Sequence, residues 1–152
     1  MNEQLKIRIA GLEDADTIKE FNKAMALETE EKQLDNDVLS AGVKSLLNNP
    51  QYGFYLVAEK DDKVVGCLMI TTEWSDWRNG LFWWIQSVYV DKNYRRQGIY
   101  KSLYNYVKEL ADSKENICGF RLYVENENVT AQKTYESLGM KLCYYKMYEE
   151  IK

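Results

Sequence analysis

Ser87-Val88-Tyr89-Val90-Asp91-Lys92-Asn93-Tyr94-Arg95-Arg96-Gln97-Gly98-Ile99-Tyr100 is the stretch on which the reading of this chain turns. It ends the run 81–90 (Leu-Phe-Trp-Trp-Ile-Gln-Ser-Val-Tyr-Val), the most strand-like segment in the sequence. A basic turn with one glycine follows, and a helical pattern opens after it. A strand, a glycine-containing turn and a helix start together make an anion site. The first helical turn carries N–H groups without intrahelical acceptors, at the positive end of the helix dipole. Gly98 lets a ligand approach the backbone, and Arg95 and Arg96 add charge. The same pattern also describes a plain strand-to-helix connection with a solvated basic turn. Two other phosphate motifs fail. Lys101-Ser102 resembles the end of a P-loop, but Tyr100 stands where that loop needs glycine, and no G-x-G-x-x-G follows a strand.

Outward from this stretch, the chain alternates strands and helices. Residues 5–10 alternate as a first strand, and Gly11 ends it. Asp14 is placed to cap a helix with Ile18, Phe21, Met25 and Leu27 on one face. A second helix is expected from Asp37 to Leu47, with Val38, Leu39, Val43, Leu46 and Leu47 inward, stopped by Asn48-Asn49-Pro50. Residues 53–59 and 64–72 flank the turn Lys60-Asp61-Asp62-Lys63 as a hairpin. Trp74 to Gly80 reads as a polar, aromatic connector. A third helix is expected from Gln97 to Ala111 on a stripe of Leu103, Tyr106, Val107 and Leu110. A strand at 117–124, a fourth helix from Asn128 to Leu138 stopped by Gly139, and a tyrosine-rich strand at 140–148 complete the order. This is an α/β fold with a mixed, mostly antiparallel central sheet flanked by helices. With 152 residues and no linker or repeat, 1–152 reads as a single domain.

Composition excludes several function classes. The net charge of −4, with no basic cluster, argues against nucleic-acid binding. The sequence has no histidine, which removes histidine triads, histidine bases and most catalytic zinc sites. Cys67, Cys118 and Cys143 lack paired spacing, so neither a metal site nor a disulfide framework is expected. Lying in apolar runs, they read as buried free thiols in a reducing, cytoplasmic setting. Neither a signal peptide nor a membrane span is expected. Acidic residues gather at Glu13, Asp14, Asp16 and Glu20 and again at Glu28, Glu30, Glu31, Asp35 and Asp37. They form solvated helix faces or a mouth that attracts a cation.

Arg95-Arg96-Gln97-Gly98-Ile99-Tyr100 resembles the [QR]-x-x-G-x-[GA] signature of the GNAT superfamily of N-acetyltransferases. Asn128-Val129-Thr130-Ala131-Gln132-Lys133-Thr134-Tyr135-Glu136-Ser137-Leu138-Gly139-Met140 resembles its second signature, N-x-x-A-x-x-x-Y-x-x-x-G-[FM]. The order and spacing match, and the layout is somewhat like that of diamine and polyamine acetyltransferases. Tyr100 departs from the first signature, which ends on a small residue. The resemblance implies acetyl-CoA as cosubstrate and a primary amine (small amine, polyamine or peptide amine) as acceptor. It implies backbone contacts from Val88 and Val90 to the pantetheine arm. The N–H groups of Arg96, Gln97, Gly98, Ile99, Tyr100 and Lys101 would hold the pyrophosphate, with charge from Arg95. Asn128 would meet the cofactor arm, and Tyr135 would lie near the thioester sulfur. The cofactor cleft is expected between the strands ending at Val90 and Val124.

The general base is left open. Gln86 stands where related enzymes carry a carboxylate, and it cannot accept the proton. Glu73 and Glu28 are the candidates, with Asp76 behind them and solvent as the remaining route. Trp74, Trp77, Trp83 and Trp84 read as core packing, as an acceptor-pocket wall or as a homodimer interface. A sensor that binds acetyl-CoA without turnover is the alternative function.

Overall fold

The computed structural model describes residues 4–152. The chain divides into two compact units, Met1–Leu122 and Tyr123–Lys152.

The first unit holds a five-stranded sheet in the order β1-β2-β3-β4-β5. The strands are β1 (Lys6–Ile9), β2 (Phe54–Lys60), β3 (Lys63–Ser75), β4 (Gly80–Val90) and β5 (Ile117–Arg121). The first three pairings are antiparallel and β4 with β5 is parallel. The β2–β3 hairpin turns on Asp61 and Asp62, at φ 57° and 59°. Two successive positive φ values match the right-handed twist of the strands, and Asp tolerates them. The connector expected from Trp74 is mostly strand. β3 runs on to Ser75, and a tight turn returns the chain at Gly80.

Three helices cover this sheet: α1 (Ala15–Glu30), α2 (Asn36–Asn48) and α3 (Ile99–Asp112). Ala15 and Ile18 of α1 and Val43 and Leu46 of α2 pack with Tyr55, Val57 and Cys67. The strand alternation sends Gly66 to the opposite face, where a β-carbon would stand 3.3 Å from Ile99 of α3. Leu56 and Leu68 share that face by register, and both are fully buried. α3 contributes Ile99, Leu103, Tyr104, Val107 and Ala111 to burial. Tyr106 and Leu110, expected on this stripe, are only half-buried because the stripe turns toward Tyr104 and Ala111. Burying each Leu or Ile here contributes roughly 1.5–3 kcal/mol.

The helix faces differ from expectation in particular places. Leu27 is 56% and Val38 72% exposed. The buried face of α1 runs through Asn22 and Ala26 instead, with Asn22 donating to the Ile18 carbonyl at 3.0 Å. Asp35, just before α2, accepts from the Val38 N–H, which holds Val38 in the exposed first turn. Asp14 makes no side-chain cap to α1. It is buried and accepts two bonds from the Arg8 guanidinium at 2.7 and 2.9 Å, plus the Gly11 N–H at 2.9 Å. An oppositely charged fork outcompetes a helix-cap N–H for a carboxylate. Arg8 also meets Glu59, so the pair ties β1 to β2 and to the start of α1.

In the second unit, α4 (Val129–Ser137) begins at Asn128, whose side chain accepts from the Ala131 N–H. Gly139 follows with φ 104°, a conformation that glycine adopts without cost. The tyrosine-rich segment 140–148 is not a strand. Leu142, Tyr144 and Tyr148 are exposed. An aromatic, alternating pattern favours a pleated surface only where a ladder neighbour is available, and this segment joins no ladder among the described residues. Of the thiols, Cys67 is buried while Cys118 and Cys143 are exposed, against the expectation for the latter two. Burial pushes the Cys67 thiol up to about 12.

Candidate active site

The site begins with an irregularity in β4. Cys67 pairs with Tyr89, but Met69 pairs with Gln86. Leu68 therefore faces two residues, Ser87 and Val88, which is a β-bulge. Ser87 takes φ 51°, unusual for a residue with a β-carbon. A bulge breaks the ladder locally and turns backbone groups away from the neighbouring strand. It lies beside Val88 and two residues before Val90. Nothing in the sequence marked it, because no glycine stands there.

After Val90, the Asp91 N–H donates to the Val65 carbonyl at 2.8 Å and anchors the turn to β3. The Asp91 side chain accepts from the Asn93 N–H and opens a short 3-10 turn, Lys92–Tyr94. Arg96 and Gly98 then take positive φ, 64° and 78°, and Gly98 is the N-cap of α3. The first helical bond runs from Ser102 N–H to the Gly98 carbonyl at 3.0 Å. The N–H groups of Ile99 to Lys101 therefore belong to the first turn, which an α-helix leaves without internal acceptors. A β-carbon placed on Gly98 would meet nothing within 4 Å. Space and positive helix potential coincide at that point, which suits an anion. Gln97 accepts from Lys60 Nζ at 2.8 Å, bringing a further cation to the turn.

The signature arginines differ in their engagement. Arg95 donates through Nε to the Val90 carbonyl and through Nη2 to Glu28, both at 2.9 Å. Its guanidinium lies 5.2 Å from the centre of the Tyr89 ring. Glu28 is thereby brought to the turn. Glu73 is not. It sits opposite Phe82 while Val90 sits opposite Gly66, so seven β3 residues, roughly 23 Å, separate it from the end of β4. Glu73 accepts from Trp84 Nε1 at 2.9 Å and Arg121 Nη1 at 2.8 Å. The Trp84 hydrogen bond, with help from Arg121, holds its carboxyl below the usual carboxylate range. Gln86 donates to the Thr71 hydroxyl at 2.6 Å. Of the tryptophans, Trp83 is buried, whereas Trp74 and Trp77 at the hairpin end are exposed. In the second unit, burial raises the Tyr135 hydroxyl above its ordinary value.

The sequence model of the acetyltransferase (GNAT) family matches residues 15–140. The chain belongs to the GNAT family of acetyltransferases. The match runs through both compact units. A crystal structure of a possible acetyltransferase from Clostridium difficile 630 is 57% identical, covers 97% of each chain and superposes with a TM-score of 0.91. A ribosomal-protein-alanine N-acetyltransferase from Brucella melitensis biovar Abortus 2308 is 16% identical. It covers 98% of this chain and 100% of its own, with a TM-score of 0.80. The aminoglycoside N-acetyltransferase AAC(6')-Iy, solved in complex with CoA, is 15% identical and covers 99% and 97%, with a TM-score of 0.74. These last two share the fold. No curated protein matches the sequence.

GNAT acetyltransferases use acetyl-CoA, and the open, positive-φ turn at the start of α3 fits the phosphate portion of such a molecule. The described residues contain no group of three or more acidic, cysteine or histidine side chains able to hold a metal ion. No helix among them is long and apolar enough to cross a membrane.

Proposed function

We propose that this acetyltransferase moves an acetyl group from acetyl-CoA to a primary amine by direct attack, with residues 1–152 acting as one catalytic domain. The observation that carries the reading is the turn Arg95–Lys101, opening α3 with Gly98 at φ 78° and free space above it. The N–H groups of Arg96 to Lys101 hold the pyrophosphate there, and the bulged backbone at Val88, with Val90, holds the pantetheine arm. Asn128 and Tyr135 enter through the second signature. The Asn128 side-chain oxygen caps α4 and its backbone N–H donates to Glu125, so its contact with the cofactor arm is through the side-chain amide hydrogens.

When bound, acetyl-CoA supplies an activated carbonyl and a thiolate leaving group with pKa near 8.5, about that of a free thiol. A primary amine of pKa about 10.4 must first lose a proton, at a cost of roughly 4.6 kcal/mol at pH 7. Glu73 is held by Trp84 and Arg121, which keep its carboxyl below the usual range and disfavour it as base. Glu28 is near, but Arg95 occupies one carboxylate oxygen and Tyr89 the other. With both of these carboxylates engaged, the proton leaves to solvent, with Asp76 as the remaining carboxylate route. Tyr135 is an acid already weaker than the departing thiol, and burial weakens it further. It serves as a hydrogen-bond donor that stabilises negative charge on sulfur.

Acetyl-CoA at a hundredfold excess over its dissociation constant should stabilise the fold by about 2.7 kcal/mol. For a chain of this length that raises the Tm by roughly 5–10 °C. Unchanged melting at saturating acetyl-CoA would refute the cofactor assignment. Small amines, polyamines and peptide amines all remain acceptors on this reading, and an acceptor panel separates them.

A further inference from the structure

Arg95 stands first in the signature turn, yet its guanidinium is committed elsewhere. It bonds the Val90 carbonyl at the end of β4 and the Glu28 carboxylate near the end of α1, each at 2.9 Å. Its face covers the Tyr89 ring at 5.2 Å. Tyr89 in turn packs on Phe21 of α1, ring centres 5.2 Å apart, and its hydroxyl reaches Glu28 at 3.4 Å. One side chain thus joins α1, the last residues of β4 and the turn. The guanidinium suits this because its planar fork can use one edge for a carbonyl, another for a carboxylate and its face for an aromatic ring.

Resting on the acetyl-CoA reading above, we propose that Glu28 and Arg95 are a positioning pair for the cofactor turn. Arg95 does not act as a direct phosphate ligand, and Glu28 does not act as the general base. Glu28 fixes the guanidinium, which holds the Val90 carbonyl and sets the approach of the turn to the bulge at Ser87–Val88. The phosphate is left to the backbone N–H groups and to Arg96. Two competing arrangements make different demands. If Arg95 bound phosphate directly, Glu28 would compete for it, and removing the Glu28 charge would tighten acetyl-CoA binding. If Glu28 were the base, its removal would lower kcat and change the pH profile.

The test is calorimetric titration of acetyl-CoA into wild type, Glu28→Gln, Arg95→Ala, Arg95→Lys and the double variant Glu28→Gln/Arg95→Ala. Folding of each is checked by circular dichroism. Glu28→Gln should weaken binding about two- to fivefold, the range of a single exposed ion pair. Arg95→Ala should cost more alone than in the Glu28→Gln background, showing that the two act as a unit. Arg95→Lys keeps the charge but loses the fork, and should bind no better than Glu28→Gln. Steady-state kinetics of Glu28→Gln should show a raised KM for acetyl-CoA with kcat and its pH profile unchanged. Tighter binding in Glu28→Gln, additive losses in the double variant, full rescue by lysine, or a kcat defect with an altered pH profile would each overturn the proposal. A wild-type protein that does not bind acetyl-CoA would instead overturn the cofactor reading on which it rests.

Discussion

Gly98→Glu separates folding from cofactor binding at one position. Gly98 sits at φ 78° and ψ 18°, so any residue with a β-carbon is held in the left-handed region there. That costs roughly 1–2 kcal/mol. No atom lies within 4 Å of the new β-carbon, so the β-carbon itself meets no clash. Alanine and glutamate should therefore destabilise alike, by about 2–8 °C in Tm at 2–4 °C per kcal/mol. Binding should divide them. A carboxylate about 4 Å from a phosphate charge costs roughly 4 kcal/mol at an effective dielectric of 20, near a thousandfold in affinity. Solvent and salt reduce that, and a loss of at least about thirtyfold is expected at physiological ionic strength. Gly98→Asn, which tolerates the left-handed region, serves as the control for strain. Thermal melts give the folding cost and calorimetry the affinity. A folded Gly98→Glu protein with wild-type acetyl-CoA affinity would refute the phosphate-turn argument. A much larger melting loss for Glu than for Ala would refute the open space above the turn.

Four further outcomes are expected. Tyr135→Phe should lower kcat about a hundredfold, the low end for losing one donor to developing negative charge, with little change in the acetyl-CoA KM, because only a transition-state interaction is lost. Since burial raises the Tyr135 hydroxyl above its ordinary value, any rate decline from its ionisation should set in at higher pH than for a free tyrosine, which a steady-state pH profile checks. The Arg8 hydrogen bonds lower Asp14 below its ordinary 3.8, so its stabilisation is full above that value and is lost as pH falls through the folded pKa. Melting followed from pH 6 to 2.5 should drop below about pH 4, and Asp14→Asn should lose about 1.5–3 kcal/mol at neutral pH and flatten that drop. A thiol reagent should modify two cysteines in the native protein, Cys118 and Cys143, and reach Cys67 only on unfolding, since Cys67 is buried with its thiol raised to about 12.

The strand and helix order was legible because each element carries its own period, and the turn at Gly98 because a helix start, a glycine and two arginines coincide. The bulge at Ser87 was not, since a serine at φ 51° leaves no compositional trace. Asp14 read as a cap because caps are local, whereas its partner Arg8 lies on a strand whose position relative to α1 appears only after folding. Glu73 and Glu28 looked equivalent as carboxylates. Strand register separated them, since it leaves Glu73 beside Trp84 and Arg121 and far along β3 from the turn. The segment 140–148 read as a strand from its tyrosines alone. Pattern gives propensity, but a ladder also needs a neighbour, and that is not written in the segment itself.

The most direct test of the account is thiol release from acetyl-CoA across a panel of amines, with polyamines, small monoamines, lysine-containing peptides and free peptide N-termini as acceptors. The account predicts amine-dependent release of free CoA, rising with pH as the acceptor loses its proton. Tight acetyl-CoA binding with no release above the acceptor-free rate for any amine would contradict it and make the chain a binding module.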